Sequence, residues 1–567
     1  MYSSKTKISK FFSLVEPYKK ELVLVLVLTL ISLIFELLSL GIFIPIINII
    51  QSTNGINNLP YLEFLPNQVL TFDKFKLLLF FLVIVFFIYL LKTIINISTS
   101  IFHAILASKI DTYLSVKIFK SLIEKPYENH SNKNTSSFIS TIINEVHQFS
   151  ELIKYVLTFI VELLVSVGIF VGLIIYNPIS TLLIILFSAL FFLLMRRITK
   201  YRIIFWGEQR QKFQDLMYKN LKEGFNSIIY IKLKKIESYF ISSFKKSIET
   251  RNIYTTRQYA FSNIPRQLLE LASIFLLGLV VYTNINLFKV NFETLVLMLT
   301  FYVIALSRIL PSINRIITSY NFILYSNVVI DKVYNEAFQS NYNKPRPLKN
   351  VIKHFSRNIQ LKNISFKYKG SKKFILNNIN LSINKNEIFG IKGLSGSGKT
   401  TLVNLLLGLL NTTEGEIFID NKIITSNDTF NQLASYVPQN TLILDDSLKN
   451  NIAFGNNLNQ LDLDWMRECI CTVELSDFVK NLDNGLETIL GEDGSKISGG
   501  QKQRIGLARA LYSKPKIIVL DEATNALDKE TEASILQTIK KLSYKITFII
   551  ISHNEKVIEI SDQIYEM

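Results

Sequence analysis

Six apolar runs in the first three fifths of the chain constrain its fold more than any other feature. They lie near 21–49, 76–102, 150–176, 179–195, 268–288 and 293–323. About twenty consecutive apolar residues cross the ~30 Å hydrocarbon core of a bilayer as a helix. Only 19% of the residues are charged and the mean hydropathy is +0.29, so this much apolar surface requires lipid. The sequence therefore predicts a membrane domain of six transmembrane helices.

A second domain follows the apolar runs. Residues 342–348 read Tyr-Asn-Lys-Pro-Arg-Pro-Leu, and the two prolines end the helical pattern as a linker would. Short β-rich runs near 416–420, 517–520 and 547–552 then alternate with helical stretches, which is typical of a parallel α/β sheet. We predict a transmembrane domain over 1–335, a linker over 336–350 and an α/β domain over 351–567.

The distribution of basic residues predicts the topology. Residues 49–72 contain no Lys or Arg, whereas a strongly basic stretch separates the fourth and fifth runs, so both termini are expected in the cytoplasm. Residues 103–149 and 196–262 keep a helical pattern, and we expect long cytoplasmic extensions of the membrane helices there. The first twenty residues carry five lysines and no cleavable signal peptide is expected.

Charge and cysteine content exclude several classes of function. The formal net charge of +17 fits an anionic lipid surface beside the membrane spans, and no nucleic acid is expected as a partner. The two cysteines, Cys469 and Cys471, are two residues apart and would point to different sides of a helix. Neither a metal site nor a disulfide framework is predicted from them.

A phosphate-binding loop opens the second domain. The segment Gly393-Leu-Ser-Gly-Ser-Gly-Lys399-Thr400 lies between a strand-like run at 388–391 and an apolar helix at 402–410. Glycines allow backbone N–H groups to face phosphates, the lysine supplies a positive charge, and the threonine hydroxyl suits Mg²⁺. The residues predicted to bind ATP here are Gly393, Ser395, Gly396, Ser397, Gly398, Lys399, Thr400 and Thr401.

Two acids end a buried strand further along the chain. The run Ile517-Ile-Val-Leu-Asp521-Glu522 fits an aspartate that binds nucleotide-bound Mg²⁺ and a glutamate that acts as general base toward water. The order of motifs resembles the ABC ATPase family, because Ile497-Ser498-Gly499-Gly500-Gln501 precedes this strand and matches the family signature.

The resemblance implies roles for further residues. Tyr368 would stack on adenine, Gln439 would take part in catalysis and in binding Mg²⁺ with Thr400 and Asp521, and residues 525–528 would form the D-loop. His553 would assist catalysis beside Glu522 by donating a hydrogen bond to the γ-phosphate. Ser498, Gly499, Gly500 and Gln501 would bind the ATP of a second subunit.

A membrane domain placed ahead of the ATPase resembles the ABC exporters of the type IV fold. With one nucleotide site and six spans, the chain is expected to be a half-transporter that works as a homodimer. Segments near 127–140 and 223–233 would couple the membrane helices to the ATPases. Relatives usually carry a further short helix beyond the position of Met567.

Four basic residues within or beside the apolar runs are candidates for cargo binding, since ionisable groups are costly in a membrane. They are Lys92, Arg266, Arg308 and Arg315, and the last two lie seven residues apart on one helix face. Such a belt suits an anion, because guanidinium groups bind phosphate in a bidentate manner. The alternative is that these residues snorkel to the interface or pair with Glu36, Glu162 and Glu270.

Residues 305–320 and the segment Asn263-Ile-Pro265-Arg266 resemble the PglK family, the lipid-linked oligosaccharide flippases of bacterial N-glycosylation. The resemblance extends over most of the chain. It implies ATP-driven flipping of a polyprenyl-pyrophosphate-linked oligosaccharide across the bacterial inner membrane, with a short external helix at 59–70. Other possibilities are export of another amphipath, such as a lipid A precursor, a hydrophobic drug or a peptide, and a non-transporting ATP-gated channel or regulator.

Overall fold

The computed structural model describes residues 6–42, 46, 49, 74–131, 135–176, 178–286, 292–338, 354–394, 396–424, 433–455, 461–524 and 527–567. The chain divides into two compact units. The first contains Met1–Lys125 and Lys133–Tyr342, and the second contains Pro126–Asn132 and Asn343–Met567. The external helix predicted at 59–70 lies outside the described residues.

The described residues of the first unit form helices joined by short turns. Its helices are α1 (Lys7–Val15), α2 (Lys19–Gly41), α3 (Lys74–Ile123), α5 (Thr135–Ser140), α6 (Val146–Tyr176), α7 (Pro178–Asn226), α8 (Ile228–Lys234), α9 (Glu237–Asn286), α10 (Phe292–Tyr325) and α11 (Asn327–Phe338), whereas α4 (Tyr127–Ser131) groups with the second unit. Helices α3, α7 and α9 have 50, 49 and 50 residues. Each is about 75 Å long at 1.5 Å per residue, so it extends well beyond the hydrocarbon core.

Five of these helical stretches are long and apolar enough to cross a membrane, counted over the described residues alone. They are Lys7–Ser39, Phe75–Ile123, Thr135–Ile174, Thr181–Asn226 and Glu237–Asn286. They correspond to the first five apolar runs, and the sixth run, 293–323, lies in α10. Helix α7 begins at Pro178, a first-turn position that suits proline because no partner for its nitrogen is required there.

Close helix packing holds the extension of α7 against α10. A Cβ at Gly207 would lie 2.1 Å from the carbonyl oxygen of Tyr325, so only glycine permits this approach. One turn further, Arg210 Nη2 lies 2.9 Å from Glu145 Oε2, and both side chains are buried. Glu145 ends a π-helical turn, Thr141–Glu145, between α5 and α6.

The second unit contains two sheets. A parallel sheet has the order β6 (Ala434–Val437), β7 (Ile517–Asp521), β8 (Thr547–Ile551), β3 (Ile388–Lys392) and β9 (Gln563–Glu566). Strands β7 and β8 are buried at every residue, which explains their continuous apolar sequences. The antiparallel sheet has the order β2 (Leu376–Asn384), β1 (Asn358–Phe366), β4 (Glu414–Ile419) and β5 (Lys422–Ile424).

The second unit also contains seven α-helices after its first strand, counted over the described residues. They are α12 (Lys399–Leu406), α13 (Leu448–Ala453), α14 (Leu463–Thr472), α15 (Ser476–Lys480), α16 (Gly499–Tyr512), α17 (Lys529–Leu542) and α18 (Glu555–Glu559), in addition to α4. The element order agrees with the predicted α/β rhythm. Helix α12 starts three residues before the predicted 402, directly after the phosphate loop.

The boundaries predicted around the linker and the coupling segments differ in detail. Helix α11 continues to Phe338, past the predicted linker start at 336, because Ala337 packs into the apolar core of the first unit. Residues 339–350 lie outside the described residues. In the segment predicted near 127–140, α4 belongs to the second unit, where Glu128 lies 3.1 Å from Lys369. The segment near 223–233 includes α8, whose Ile229 and Leu233 are exposed.

Candidate functional site

The phosphate loop joins β3 to α12 and has the backbone shape that its glycines allow. Gly396 and Gly398 have φ of 85° and 105°, a region that side chains disfavour. Gly398 is the N-cap of α12, so the helix N-terminus with its unpaired N–H groups faces the loop. Ser397 Oγ is buried without a hydrogen-bond partner among the described residues. These features fit the phosphates of a nucleotide, and Ser395 lies outside the described residues.

Lys399 reaches back over the loop. Its Nζ donates to the carbonyl oxygens of Gly393 and Leu394 at 2.8 and 2.9 Å and lies 3.2 Å from His553 Nε2. The ammonium group is therefore held at the loop mouth by backbone oxygens. A lysine positioned there supplies positive charge to nucleotide phosphates.

Glu522 directly follows Asp521, the last residue of β7, and its carboxylate contacts two other predicted residues. Gln439 Nε2 donates to Glu522 Oε2 at 2.8 Å, and His553 Nε2 lies 3.2 Å from Glu522 Oε1. Glu522 has φ of 50°, an unfavourable region for a side chain of this size. The strained backbone holds its carboxylate beside the glutamine and the histidine, as a general base oriented by two neighbours requires.

Asp521 has a partner that the motifs did not indicate. Tyr436 Oη, on β6, donates to Asp521 Oδ2 at 3.0 Å. Burial raises the pKa of the Asp521 carboxyl, and the charge of Glu522 acts in the same direction, whereas the hydrogen bond from Tyr436 and the charge of Lys399 oppose it. Burial and the neighbouring Asp521 also raise the pKa of Tyr436, which therefore stays a hydrogen-bond donor.

These groups enclose a cavity of about 590 Å³. Its lining contains Ile375 and nine residues that the sequence predicted, which are Gly396, Gly398, Lys399, Thr400, Thr401, Gln439, Asp521, Glu522 and His553. Sequence reasoning missed Ile375, which directly precedes β2, and Tyr436 on β6, because an isoleucine and a tyrosine near apolar runs read as core residues. Tyr436 lies three residues before Gln439, and this spacing was the available signal for the tyrosine.

Two predicted elements lie outside this lining. Tyr368 packs edge-to-face on Phe366, and its hydroxyl is 3.4 Å from Thr401 Oγ1, so it borders the cavity through Thr401. Ser498 is the N-cap of α16 and forms a capping box with Gln501, with Ser498 N donating to Gln501 Oε1 at 2.8 Å. Within one chain, the described residues of the signature, Ser498, Gly499, Gly500 and Gln501, do not line the nucleotide cavity.

A second cavity, of about 600 Å³, lies among α2, α3, α6 and α10 of the membrane unit. Its lining is mostly polar and includes Glu36, Lys92, Glu162, Arg308 and Arg315. Three of the four predicted basic residues therefore meet there, although they come from distant parts of the sequence. Three cations against two carboxylates leave one net positive charge.

Each cation of this cavity has a defined partner. Lys92 Nζ lies 2.5 Å from Glu36 Oε2, and Arg315 holds Glu162 through Nε at 2.5 Å and Nη2 at 3.1 Å. Arg308 donates to the hydroxyl of Tyr89 and lies 5.2 Å from the centre of its ring. The pairing with Glu36 and Glu162, stated above as an alternative to anion binding, is thus present for two of the residues. Tyr89 was missed, since an aromatic residue in an apolar run carries no signal.

Arg266 stands apart from this group. It lies in α9 beside Pro265, is 72% exposed in the membrane unit, and pairs with Glu270 at 3.2 Å one turn away. It is not among the residues that line the second cavity. The structure therefore brings together Lys92, Arg308 and Arg315 but not Arg266.

A helical membrane unit followed by a phosphate-loop ATPase unit defines an ATP-driven membrane transporter. Residues 22–310 match the ABC transporter transmembrane region, and residues 376–525 match the ABC transporter ATPase family. The chain belongs to the ABC transporter family. It is an ABC exporter half-transporter whose ATP hydrolysis is coupled to transport.

Several known proteins are similar over most of the chain. An "ATP-dependent lipid A-core flippase" of Ralstonia nicotianae is 26% identical over 82% of this chain and 78% of its own length. A "putative export ATP-binding/permease protein" of Rickettsia bellii is 27% identical over 96% of this chain and 92% of its own. A solved structure of a bacterial Atm1-family ABC exporter with ATP bound has a TM-score of 0.79 and 19% identity, covering 97% of this chain and 94% of that one, and so it shows the fold.

Proposed function

We propose that the protein flips an anionic polyprenyl-pyrophosphate-linked oligosaccharide from the cytoplasmic to the periplasmic leaflet of a bacterial inner membrane. The observation that carries this proposal is the convergence of Lys92, Arg308 and Arg315 on one polar cavity within the membrane unit. An excess of positive charge among membrane helices is costly unless an anion uses it. A pyrophosphate headgroup supplies that anion, while its polyprenyl tail can stay in lipid.

Arg308 is the cation best placed to meet the headgroup first. Among the described residues it has no carboxylate within 4 Å, and its partner is the neutral Tyr89. Lys92 and Arg315 would bind the headgroup while they remain paired with Glu36 and Glu162, or after those pairs open. Arg266 remains an outlying member of the proposed belt, on an exposed face of α9.

The nucleotide site fits Mg²⁺ with ATP through its donor set. Thr400, Gln439 and Asp521 would hold the ion, since hydroxyl, amide and carboxylate oxygens are the ligands that Mg²⁺ prefers. Bound Mg²⁺ neutralises phosphate charge during transfer. Lys399 and the loop N–H groups bind phosphate, Tyr368 offers its ring to adenine, Glu522 accepts a proton from water, and His553 donates toward the γ-phosphate.

The proposed assembly is a homodimer with both termini in the cytoplasm. Ser498 and the following residues, Gly499 to Gln501, occupy the N-terminus of α16, where backbone N–H groups and the helix dipole favour phosphate. Because they do not line the cavity of their own chain, they would complete the nucleotide site of a second copy.

A second candidate cargo has the same headgroup chemistry. The relative from Ralstonia nicotianae is named a lipid A-core flippase, and lipid A-type glycolipids offer phosphate to the same cations. The two candidates differ in the lipid, since one has a single polyprenyl chain and the other several acyl chains. Both lipids fit the cavity chemistry, so a comparison of their transport rates in vesicles is needed to distinguish them.

Reconstituted vesicles test the proposal. Wild-type protein should transfer a labelled polyprenyl-pyrophosphate glycan between leaflets with ATP, and Glu522→Gln should not. Arg308→Gln should lose most of the transfer while still hydrolysing ATP, because its side chain meets cargo and lies in the membrane unit. Arg467→Gln is the matched control, since Arg467 is an exposed arginine of the ATPase paired with Asp464.

The outcomes separate the alternatives. Transfer of a lipid A-type glycolipid in preference to the polyprenyl glycan would replace the first cargo by the second. ATP hydrolysis without transfer of either lipid would leave the exporter assignment in place and overturn the anionic-lipid proposal. Equal transfer by Arg308→Gln and Arg467→Gln would show that Arg308, and with it the cavity, does not bind the cargo during transfer.

A further inference from the structure

The two ion pairs of the membrane cavity differ in how accessible their cations are. The side chain of Lys92 is 7% exposed and that of its partner Glu36 is 12% exposed. Glu162 is similarly buried at 11%, but the side chain of Arg315 is 50% exposed. A ligand in the cavity can therefore reach Arg315 while it is still paired, whereas Lys92 is enclosed.

The Arg315–Glu162 contact has the geometry of an anion site. Arg315 binds the carboxylate through two nitrogens, at 2.5 and 3.1 Å, and a guanidinium binds phosphate oxygens through the same fork. Helices α6 and α10 hold the pair in register, because the rings of Tyr155 and Phe322 stack at 3.9 Å, seven residues away along each helix. Glu162 thus occupies Arg315 as a phosphate would.

We propose that Glu162 is a built-in competitor for the cargo headgroup, which an anion must displace from Arg315 in order to bind. The inference rests on the proposed function and adds an affinity-setting residue to it. Competition of this kind keeps Arg315 ordered and its charge satisfied when no cargo is bound. It also weakens cargo binding, so that the headgroup can leave on the far side of the membrane.

The contrast with Lys92 and Glu36 makes the proposal specific. Removing the charge of either glutamate raises the net positive charge of the same cavity by one. A general electrostatic effect would therefore tighten anion binding equally in Glu162→Gln and Glu36→Gln. Displacement predicts an effect for Glu162→Gln only, because the cation that it releases is the exposed one.

Equilibrium binding in nanodiscs of neutral phosphatidylcholine, without nucleotide, tests this. The probes are geranylgeranyl diphosphate, inorganic pyrophosphate and, as the uncharged control, geranylgeraniol. Glu162→Gln should lower the dissociation constant for the lipid diphosphate by about fivefold, the size expected for removal of a competing, partly exposed ion pair. Glu36→Gln should change it by less than about twofold. In an Arg315→Gln background, Glu162→Gln should have no effect.

Each result decides the matter. If the wild type binds the diphosphate and Glu162→Gln binds it equally, or both glutamine variants tighten alike, the competitor role is wrong and the proposed function stands. If the folded wild type binds no diphosphate, both the competitor role of Glu162 and the proposed function are wrong. If Glu162→Gln binds inorganic pyrophosphate more tightly but not the lipid diphosphate, the site takes a free anion, and its role in binding a lipid headgroup is wrong. If Glu162→Gln does not fold, Glu162→Asp replaces it, because the shorter side chain cannot keep both contacts with Arg315 but retains the charge. Displacement then predicts tighter binding of the lipid diphosphate by Glu162→Asp, and unchanged binding would contradict it.

Discussion

The nucleotide cavity and the membrane cavity have similar volumes but are built in opposite ways. The nucleotide cavity collects a loop of consecutive residues and the ends of neighbouring strands, and its polar groups include backbone N–H and C=O. The membrane cavity takes residues spaced along four helices, between Ser32 and Arg315, and its charged side chains bind one another. Many residues of the nucleotide cavity are close together in the sequence, whereas the ion pairs of the membrane cavity join residues that are far apart in the sequence.

The surrounding medium accounts for the difference. Polar side chains of the nucleotide cavity can exchange hydrogen bonds with water, so they can be arranged for chemistry. Charged side chains that pack between membrane helices have fewer such exchanges and are costly unless paired. We therefore expect substitutions in the nucleotide cavity to change catalysis more than stability, and substitutions of buried charges in the membrane unit to do the reverse.

The largest expected effect is that of Glu522→Gln. Removing a general base lowers the rate of hydrolysis by about a thousandfold, while the loop that binds ATP is unchanged. Phosphate release should report the loss, and fluorescent-nucleotide binding should stay within about twofold of the wild type. A drop in melting temperature together with lost nucleotide binding would show that Glu522 is structural and would break the comparison.

Arg210→Met tests the expectation for buried charges, at an ion pair of the membrane unit that lies outside its cavity. Glu145 is fully buried beside Arg210, and an unpaired buried carboxylate costs about 3 kcal/mol. Thermal unfolding in detergent should show this loss, and Glu145→Gln added to Arg210→Met should recover part of it. The exposed pair Lys245–Glu249 is the control, since Lys245→Met should cost less than about 0.5 kcal/mol. Equal costs for both pairs would contradict the role assigned to burial.

The same contrast explains which features the sequence predicts. In the ATPase unit, residues next to one another in the chain meet in the site, so that Lys399, Asp521 and Glu522 could be assigned from their motifs. The order of apolar runs and strands likewise predicted the membrane helices and the α/β unit. Residue roles taken from the ABC ATPase family, such as that of His553, remain predictions until they are measured.

The remaining features depend on distances that no local pattern encodes. Heptad spacing placed Arg308 and Arg315 on one face of α10, but it could not show that Tyr89 approaches Arg308 from α3. Nor could it show that Arg266, in the same basic set, lies outside the cavity. Tyr436 was missed for the same reason, since a strand tyrosine becomes a partner of Asp521 only through the pairing of β6 with β7.

Tyr436→Phe sharpens the comparison within the nucleotide cavity. Without the hydroxyl, Asp521 loses a hydrogen bond that opposes the rise of its pKa, so its carboxyl holds a proton more readily. The Mg²⁺ concentration for half-maximal nucleotide binding should rise about tenfold, since one hydrogen bond to a charged group contributes about 1.5 kcal/mol. Protonation competes with the cation, so the shift should be larger at pH 6 than at pH 8. Tyr565→Phe, on β9, is the control, and an equal shift in both variants would exclude positioning by Tyr436.

The smallest effect is expected from Arg266→Gln. Its partner Glu270 is one turn away on the same exposed helix face, and such pairs contribute only a few tenths of a kcal/mol. Flipping should therefore fall by less than about twofold, compared with the loss of most transfer in Arg308→Gln. When both variants are measured in the same vesicle preparation, the ratio of their flipping rates ranks Arg266 and Arg308 by their access to the cavity. An effect of Arg266→Gln as large as that of Arg308→Gln would place cargo on the exposed face of α9, where a second copy would then have to contribute to the path.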